Sequence, residues 1–136
     1  MPHLESMVFK EITARLTDNV LHIQFNRPHK KNAMNLTLVE EVMQCFERVE
    51  DMNNLRVVVV QGSHGNFCAG GDIRMVAESG AQDGSAAREF FRQEYRMNHR
   101  LFTYAKPVVT FMDGITMGGG VGIALPCKYR VATENT

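Results

Sequence analysis

Four consecutive valines, Val57 to Val60, leave this chain of 136 residues little choice of architecture. β-Branched side chains lose rotamer freedom in a helix and pack well on a pleated surface, so the stretch from Arg56 to Gln61 reads as a strand that Gly62 closes. The run does not alternate with polar residues, which predicts a strand covered on both faces, the habit of parallel sheets. Upstream, Leu38, Val39, Val42, Met43, Phe46 and Val49 recur at helical spacing within Leu36 to Met52, and Asn35 is placed to cap that helix. Val20 to Phe25, before it, is β-prone. Strand, helix and strand in this order predict a crossover unit and an α/β domain. Val8 to Leu16 pairs naturally with Val20 to Phe25 as a hairpin across Thr17-Asp18-Asn19, and Asn26-Arg27-Pro28 ends the second strand.

Downstream, Gly65 to Asp72 reads as a loop, GNFCAGGD, leading into a short helix over Ile73 to Ser79. Gly80 to Ser85 is small and polar, an exposed loop. A longer helix over Ala86 to Tyr104 is stopped by Lys106-Pro107, and Val108 to Met112 reads as another buried strand. Gly114 to Gly120 forms a turn, Val121 to Leu125 a helical segment and Tyr129 to Ala132 a last strand. Two loops therefore share one grammar of buried strand, glycine turn and short helix. In each, amides near the helix start carry the positive end of the dipole and suit anionic oxygen. If the two strands are neighbours the loops converge, and paired amides aimed at one oxygen form an oxyanion hole.

Composition removes several alternatives. With 44% hydrophobic and 22% charged residues the chain has the balance of a soluble globular domain. The 15 basic and 15 acidic residues cancel, and only His29-Lys30-Lys31 forms a basic cluster, so nucleic acid is not an expected partner. Cys45, Cys68 and Cys127 are odd in number and widely spaced, which fits a reducing compartment better than a disulfide framework. MPHLESMVFKEI has no basic region followed by an apolar one, and no apolar run approaches the roughly 20 residues that span a bilayer. A cytoplasmic protein is expected, or a mitochondrial matrix protein if a presequence has been removed. His64 and His99 lack a partner at metal spacing, so no metal is expected.

ITMGGGVGIAL, Ile115 to Leu125, sets the functional question, because each glycine in a would-be helix costs about 1 kcal/mol against alanine. Gly114 and Gly119 have the first spacing of a P-loop, but Gly120 and Val121 replace its lysine and hydroxyl residue. A dinucleotide fingerprint fails too, since isoleucine or leucine falls at the sixth place.

NRPHKKNAMN (Asn26 to Asn35), FCAGGD (Phe67 to Asp72) and KPVVTFMDGITMGGGVGIAL (Lys106 to Leu125) together resemble the crotonase, or enoyl-CoA hydratase/isomerase, superfamily in order and spacing. The resemblance implies a spiral of strand-strand-helix units, of which this is the N-terminal part of an incomplete domain. It also implies a coenzyme A thioester substrate with no separate cofactor, and assembly as a trimer or hexamer. It places the two oxyanion-hole amides on Ala69 and Gly119, and substrate contacts on Lys31, Ala33, Gly70, Gly71, Asp72 and Gly118. Lys30 and Lys31 would meet the coenzyme phosphates.

Hydratases of this superfamily carry a catalytic glutamate shortly after the glycine triplet, where this chain has Gly122, which transfers no proton. EYRMN (Glu94 to Asn98), GITMGGGVG and YRVATE (Tyr129 to Glu134) look more like the 3-hydroxyisobutyryl-CoA hydrolase branch, with Glu94 at a substrate-contacting position. Hydrolysis of a short 3-hydroxyacyl thioester, as in valine breakdown, is the expected reaction. A hydratase or isomerase of the same superfamily is the alternative, and a catalytically silent coenzyme A-binding module a third. In that branch the main catalytic carboxylates lie beyond the segment matching Arg130 to Thr136. From the residues themselves, Asp72 is expected to cap the Ile73 helix, Asp113 to serve a turn, and Cys68 to be a packed thiol.

Overall fold

Asp18 and Asn19, both at positive φ (52° and 65°), turn the chain between β1 (Ile12–Thr17) and β2 (Val20–Phe25). Two such residues in succession match the right-handed twist of the strands they join, so the hairpin closes in register with Thr17 opposite Val20. The computed structural model describes residues 8–136; the start of the chain, from which the lack of a secretory signal is read, lies partly outside them. β1 begins at Ile12 rather than Val8. The amides of Lys10 and Glu11 donate to the Glu41 carboxylate, each at 2.7 Å, which ties their N–H groups to a helix, while the Glu11 carbonyl still accepts from the Asn26 amide at 2.9 Å.

β3 (Val57–Gly62), β4 (Val108–Met112) and β5 (Tyr129–Ala132) follow in parallel, giving one five-stranded sheet in the order β1-β2-β3-β4-β5. The crossovers are α1 (Leu36–Val49), the pair α2 (Ile73–Gly80) and α3 (Ser85–Thr103), and α4 (Gly119–Ala124). Asn35 caps α1 as expected, its side chain accepting from the Leu38 amide at 2.9 Å. α4 starts two residues earlier than the expected Val121, so two of the three consecutive glycines form its first turn.

The valine run is only half as covered as its composition predicts. Val58 and Val60 are buried with Leu21, Ile23 and Val108 against Leu38, Val42 and Phe46 of α1, forming the core. Val57 and Val59 face the other side and are partly exposed. Register aligns Val59 with Val109, and Val109 with Tyr129, so the outer face of β3 to β5 is apolar but open. A run of valines therefore marks two apolar faces without requiring that both be covered within these residues. Among the described residues, no helix is long and apolar enough to cross a membrane.

Candidate functional site

Three loops leave the carboxyl ends of β2, β3 and β4 and lie side by side, at the end of a parallel sheet where ligands are generally held. The middle one, Phe67 to Asp72, is stitched to both neighbours. On one side Cys68 donates to the Ile115 carbonyl and accepts from the Met117 amide, both at 3.0 Å. On the other, the Met34 amide donates to Gly70 (2.7 Å) and the Asp72 amide to Met34 (2.8 Å). Parallel bridges pair Cys68 with Thr116 and Met34 with Gly71. The expected convergence of the two glycine loops is thus present.

The amide expected to work with Gly119 is otherwise engaged. Ala69 donates its N–H to the Lys31 carbonyl at 3.1 Å, turning it toward the 31–34 loop and away from the glycine triplet. Asp72, three residues on, also donates to that loop. In a regular strand the amides facing one edge are two residues apart, so an odd interval requires a reversal between them. Gly70 supplies it at φ +105°, a conformation that side-chain-bearing residues rarely adopt. The result is that Gly71, whose flanking groups bond to Met34, turns its own N–H the other way. Among the described residues neither Gly71 nor Gly119 has an acceptor for its amide. A Cβ built on Gly119 would stand 3.5 Å from the Gly71 nitrogen, so these two unpaired donors border one space. Gly71, and not Ala69, is the amide that faces Gly119.

Each glycine of the triplet has a separate reason. Gly118, at φ 51° and ψ −118°, turns the chain into α4. A Cβ on Gly119 would meet the Glu94 Oε1 and Met34 Cε, both at 2.6 Å, so the tips of two long side chains already fill the room beside its amide. Gly120 presses on backbone, 2.3 Å from the Cys68 oxygen by the same construction. Phe90 covers Gly71, 3.3 Å from the Cβ it lacks.

Glu94 is 5% exposed on the buried stripe of α3, with Phe90, Met97 and Leu101. Among the described residues its carboxylate has no ion-pair partner. Burial pushes its carboxyl above the ordinary glutamate range, because the charged form is poorly solvated there. A carboxyl whose pKa is raised by folding binds protons more tightly in the folded state, so stability falls as pH rises from the ordinary glutamate value through the raised one. Glu94→Gln is accordingly expected to unfold at a higher temperature than the parent near neutral pH, with the difference closing toward pH 4. Thermal unfolding at a series of pH values checks this; a difference that stays constant with pH contradicts it.

The frame around the site comes largely from two residues that sequence reading treated as incidental. Asn32, fully buried at φ 58°, accepts from the Arg27 amide (2.8 Å) and donates to the carbonyls of Ser63 (3.0 Å) and Asn66 (2.8 Å). Arg27 pairs with Glu11 at 2.7 Å and Asp72 at 3.6 Å, and its guanidinium also donates to the Ala33 carbonyl. The signal available was the Lys31-Asn32 pair, since asparagine is a residue that tolerates the left-handed conformation and reaches backbone groups from it. Asn32→Ala strips partners from three backbone groups and should destabilise the chain by about 2–3 kcal/mol, read from the urea midpoint. A change under about 0.5 kcal/mol would mean the loop is held by other contacts.

Asp72 caps α2 as expected, accepting from the amides of Arg74 (3.1 Å) and Met75 (3.3 Å). Lys31 is exposed and Ala33 half-buried on the loop beside Gly70 and Gly71, with Gly118 exposed across from them. Cys68 is fully buried and its thiol is pushed up to about 11 by burial, so it is a packed and unreactive group. Asp113 accepts from Thr133 Oγ1 at 2.7 Å, joining the turn after β4 to the end of β5. Among the described residues no three histidine, cysteine or carboxylate side chains cluster as a metal site would require.

Residues 20–136 match the enoyl-CoA hydratase/isomerase family. The chain is similar to a mitochondrial 3-hydroxyisobutyryl-CoA hydrolase of Xenopus tropicalis, 44% identical over 115 residues, which are 84% of this chain and 30% of that protein. It is also similar to the small ribosomal subunit protein mS47 of Schizosaccharomyces pombe, 42% identical over 82% of this chain and 26% of that one. Among solved structures, a carnitinyl-CoA dehydratase from Mycobacterium thermoresistibile superposes with a TM-score of 0.90 at 34% identity, over 93% of this chain and 38% of that one. The crotonase-like α/β fold expected from the sequence is the fold of this chain, which spans 26% to 38% of the length of these relatives.

Proposed function

Because the chain belongs to the enoyl-CoA hydratase/isomerase family, we propose that it holds the thioester carbonyl of an acyl-coenzyme A between the amides of Gly71 and Gly119. The carrying observation is the pair of unpaired N–H groups bordering one space, brought together by the reversal at Gly70. In water such donors would be solvated; in a covered site, fixed donors stabilise charge developing on oxygen by several kcal/mol. The reaction we assign is hydrolysis of a short 3-hydroxyacyl thioester. Water adds to the carbonyl carbon, the oxygen takes up negative charge between the two amides, and collapse expels the coenzyme A sulfur, leaving acid and thiol. Glu94 borders the oxygen site beside Gly119, with Phe90 and Met34 excluding water around it. Gly122 stands where a hydratase of this kind would need a proton-transferring side chain, which favours hydrolysis over hydration. Coenzyme A arrives as part of the substrate, its phosphates assigned to the exposed Lys30 and Lys31, and no other cofactor enters this reading. A mitochondrial location, the one in the frog relative's name, and assembly into trimers or hexamers belong to the same proposal.

Incubation with 3-hydroxyisobutyryl-CoA and with crotonyl-CoA, following free thiol and enoyl absorbance together, tests it on the whole polypeptide. Thiol release from the first is expected; loss of enoyl absorbance without thiol would assign a hydratase instead. The similarity to mS47 favours a second reading, in which the fold serves as a ribosomal component without turnover. Co-sedimentation with small ribosomal subunits and no thiol release would establish that reading in place of the first.

A further inference from the structure

α3 carries a row of like charges that helix stability does not ask for. Arg88, Arg92, Arg96 and Arg100 follow at four-residue intervals, so they stand one above the next along one strip of the helix. Like charges at that spacing repel and weaken a helix, whereas glutamates in alternate places would strengthen it. The zero net charge of the whole chain conceals this concentration. Glu89 holds Arg92 at 3.4 Å and Glu50 holds Arg100 at 3.3 Å, but Arg96, between them, has no ion-pair partner among the described residues. These three arginines, with Tyr95, His99 and Met43 of α1, line a groove of about 580 Å³, a size that takes a small organic ligand. Among the described residues no carboxylate lines it; Glu40 and Glu47 border a neighbouring hollow and do not pair with Arg96. Tyr95 is 64% exposed, its ring stacked on Phe91 at 6.2 Å between centroids and 23° between planes. A ring held in place and left uncovered beside guanidinium groups offers a planar ligand a stacking surface. The arginines supply paired N–H donors of the geometry that phosphate oxygens accept. A phosphomonoester also brings about two negative charges to a groove with three guanidinium groups, where a carboxylate brings one.

We propose that the groove between α1 and α3 is a second binding site, which takes a phosphomonoester carrying a planar ring, the phosphate on Arg96 and the ring on Tyr95. It is separate from the glycine amides. Arg96 is two residues from Glu94 and so turned to the other side of α3, away from Gly119. Glu50, the partner of Arg100, directly follows α1, at the end of the sheet where β3 begins. The inference does not depend on the acyl-coenzyme A reading.

Calorimetric titration of the unaltered chain with AMP, adenosine and inorganic phosphate tests it. AMP should bind about 10- to 100-fold more tightly than adenosine, which lacks the phosphate. It should bind about 10-fold more tightly than inorganic phosphate, which lacks the ring. Arg96→Gln should bring AMP down to the affinity of adenosine, and because it relieves the like-charge row it should melt no lower than the parent. Tyr95→Ser is the second variant, expected to cost AMP about 10-fold while leaving inorganic phosphate unchanged. No binding of AMP in the millimolar range, or equal binding of AMP and adenosine, overturns the inference. Inorganic phosphate bound as tightly as AMP overturns the assignment of a ring to Tyr95. AMP binding that Arg96→Gln leaves unchanged places the nucleotide elsewhere, such as at Lys30 and Lys31, and removes the groove as its site. Each of these failures leaves the acyl-coenzyme A reading standing, since that reading is decided by thiol release.

Discussion

Gly120→Ala is expected to cost about 4 kcal/mol or more and to leave much of the chain unfolded at ambient temperature. The added methyl would stand 2.3 Å from the Cys68 carbonyl oxygen, 3.0 Å from its Cβ and 3.1 Å from its carbonyl carbon. None of these is the free end of a flexible side chain. Cys68 is pinned through both its N–H and its carbonyl, by the Ile115 carbonyl and the Met117 amide, so relief requires the 67–72 and 115–119 segments to part. A small domain has only about 5–15 kcal/mol of stability to lose, so one backbone collision is a large fraction of it. Urea unfolding of the two chains measures the effect, and a loss below about 1 kcal/mol would show that the loops are not packed as described.

One residue earlier the same substitution should have the opposite profile. Gly119→Ala collides with the Glu94 Oε1 and the Met34 Cε, the ends of two long side chains that swing aside, and lies at an ordinary 3.5 Å from the Gly71 nitrogen, so the fold should survive within about 1 kcal/mol. Its methyl, however, projects into the space shared with the Gly71 amide, where the thioester oxygen is placed. Alanine keeps the N–H but its methyl blocks the approach to it; loss of one donor of such a pair typically reduces catalysis 10²–10³-fold, and with the space blocked acyl-coenzyme A binding should weaken by about 100-fold. Melting temperature and affinity are thus expected to separate between adjacent glycines. A Gly119→Ala chain that melts normally and binds isobutyryl-CoA as tightly as the parent would exclude this space as the site.

Local physics made most of the scaffold legible. The helical stripe and Asn35 cap of α1, the hairpin turn at Asp18-Asn19, the extended runs of β3 and β4 and the Asp72 cap are each decided by residues a few positions apart. The direction of one amide was not legible in the same way. Whether Ala69 or Gly71 faces Gly119 depends on the dihedral at Gly70 and on a carbonyl from Lys31, distant in sequence, and motif position alone says nothing of either. Glu94 was half legible: it falls four residues after Phe90 and three before Met97, on the apolar stripe of α3, which argues for burial of a carboxyl that composition would leave in solvent. Arg27 and Asn32 were missed because their work is done on backbone groups of other loops, a role that has no periodicity.

The most direct test observes the amides themselves, by nitrogen-15 correlation spectra of the chain titrated with isobutyryl-CoA. The N–H signals of Gly71 and Gly119 should move downfield together and saturate at one ligand concentration, while that of Ala69 stays in place and remains protected from exchange by its bond to Lys31. Movement of Ala69 in place of Gly71, or saturating binding that leaves both glycine signals where they were, would contradict the account.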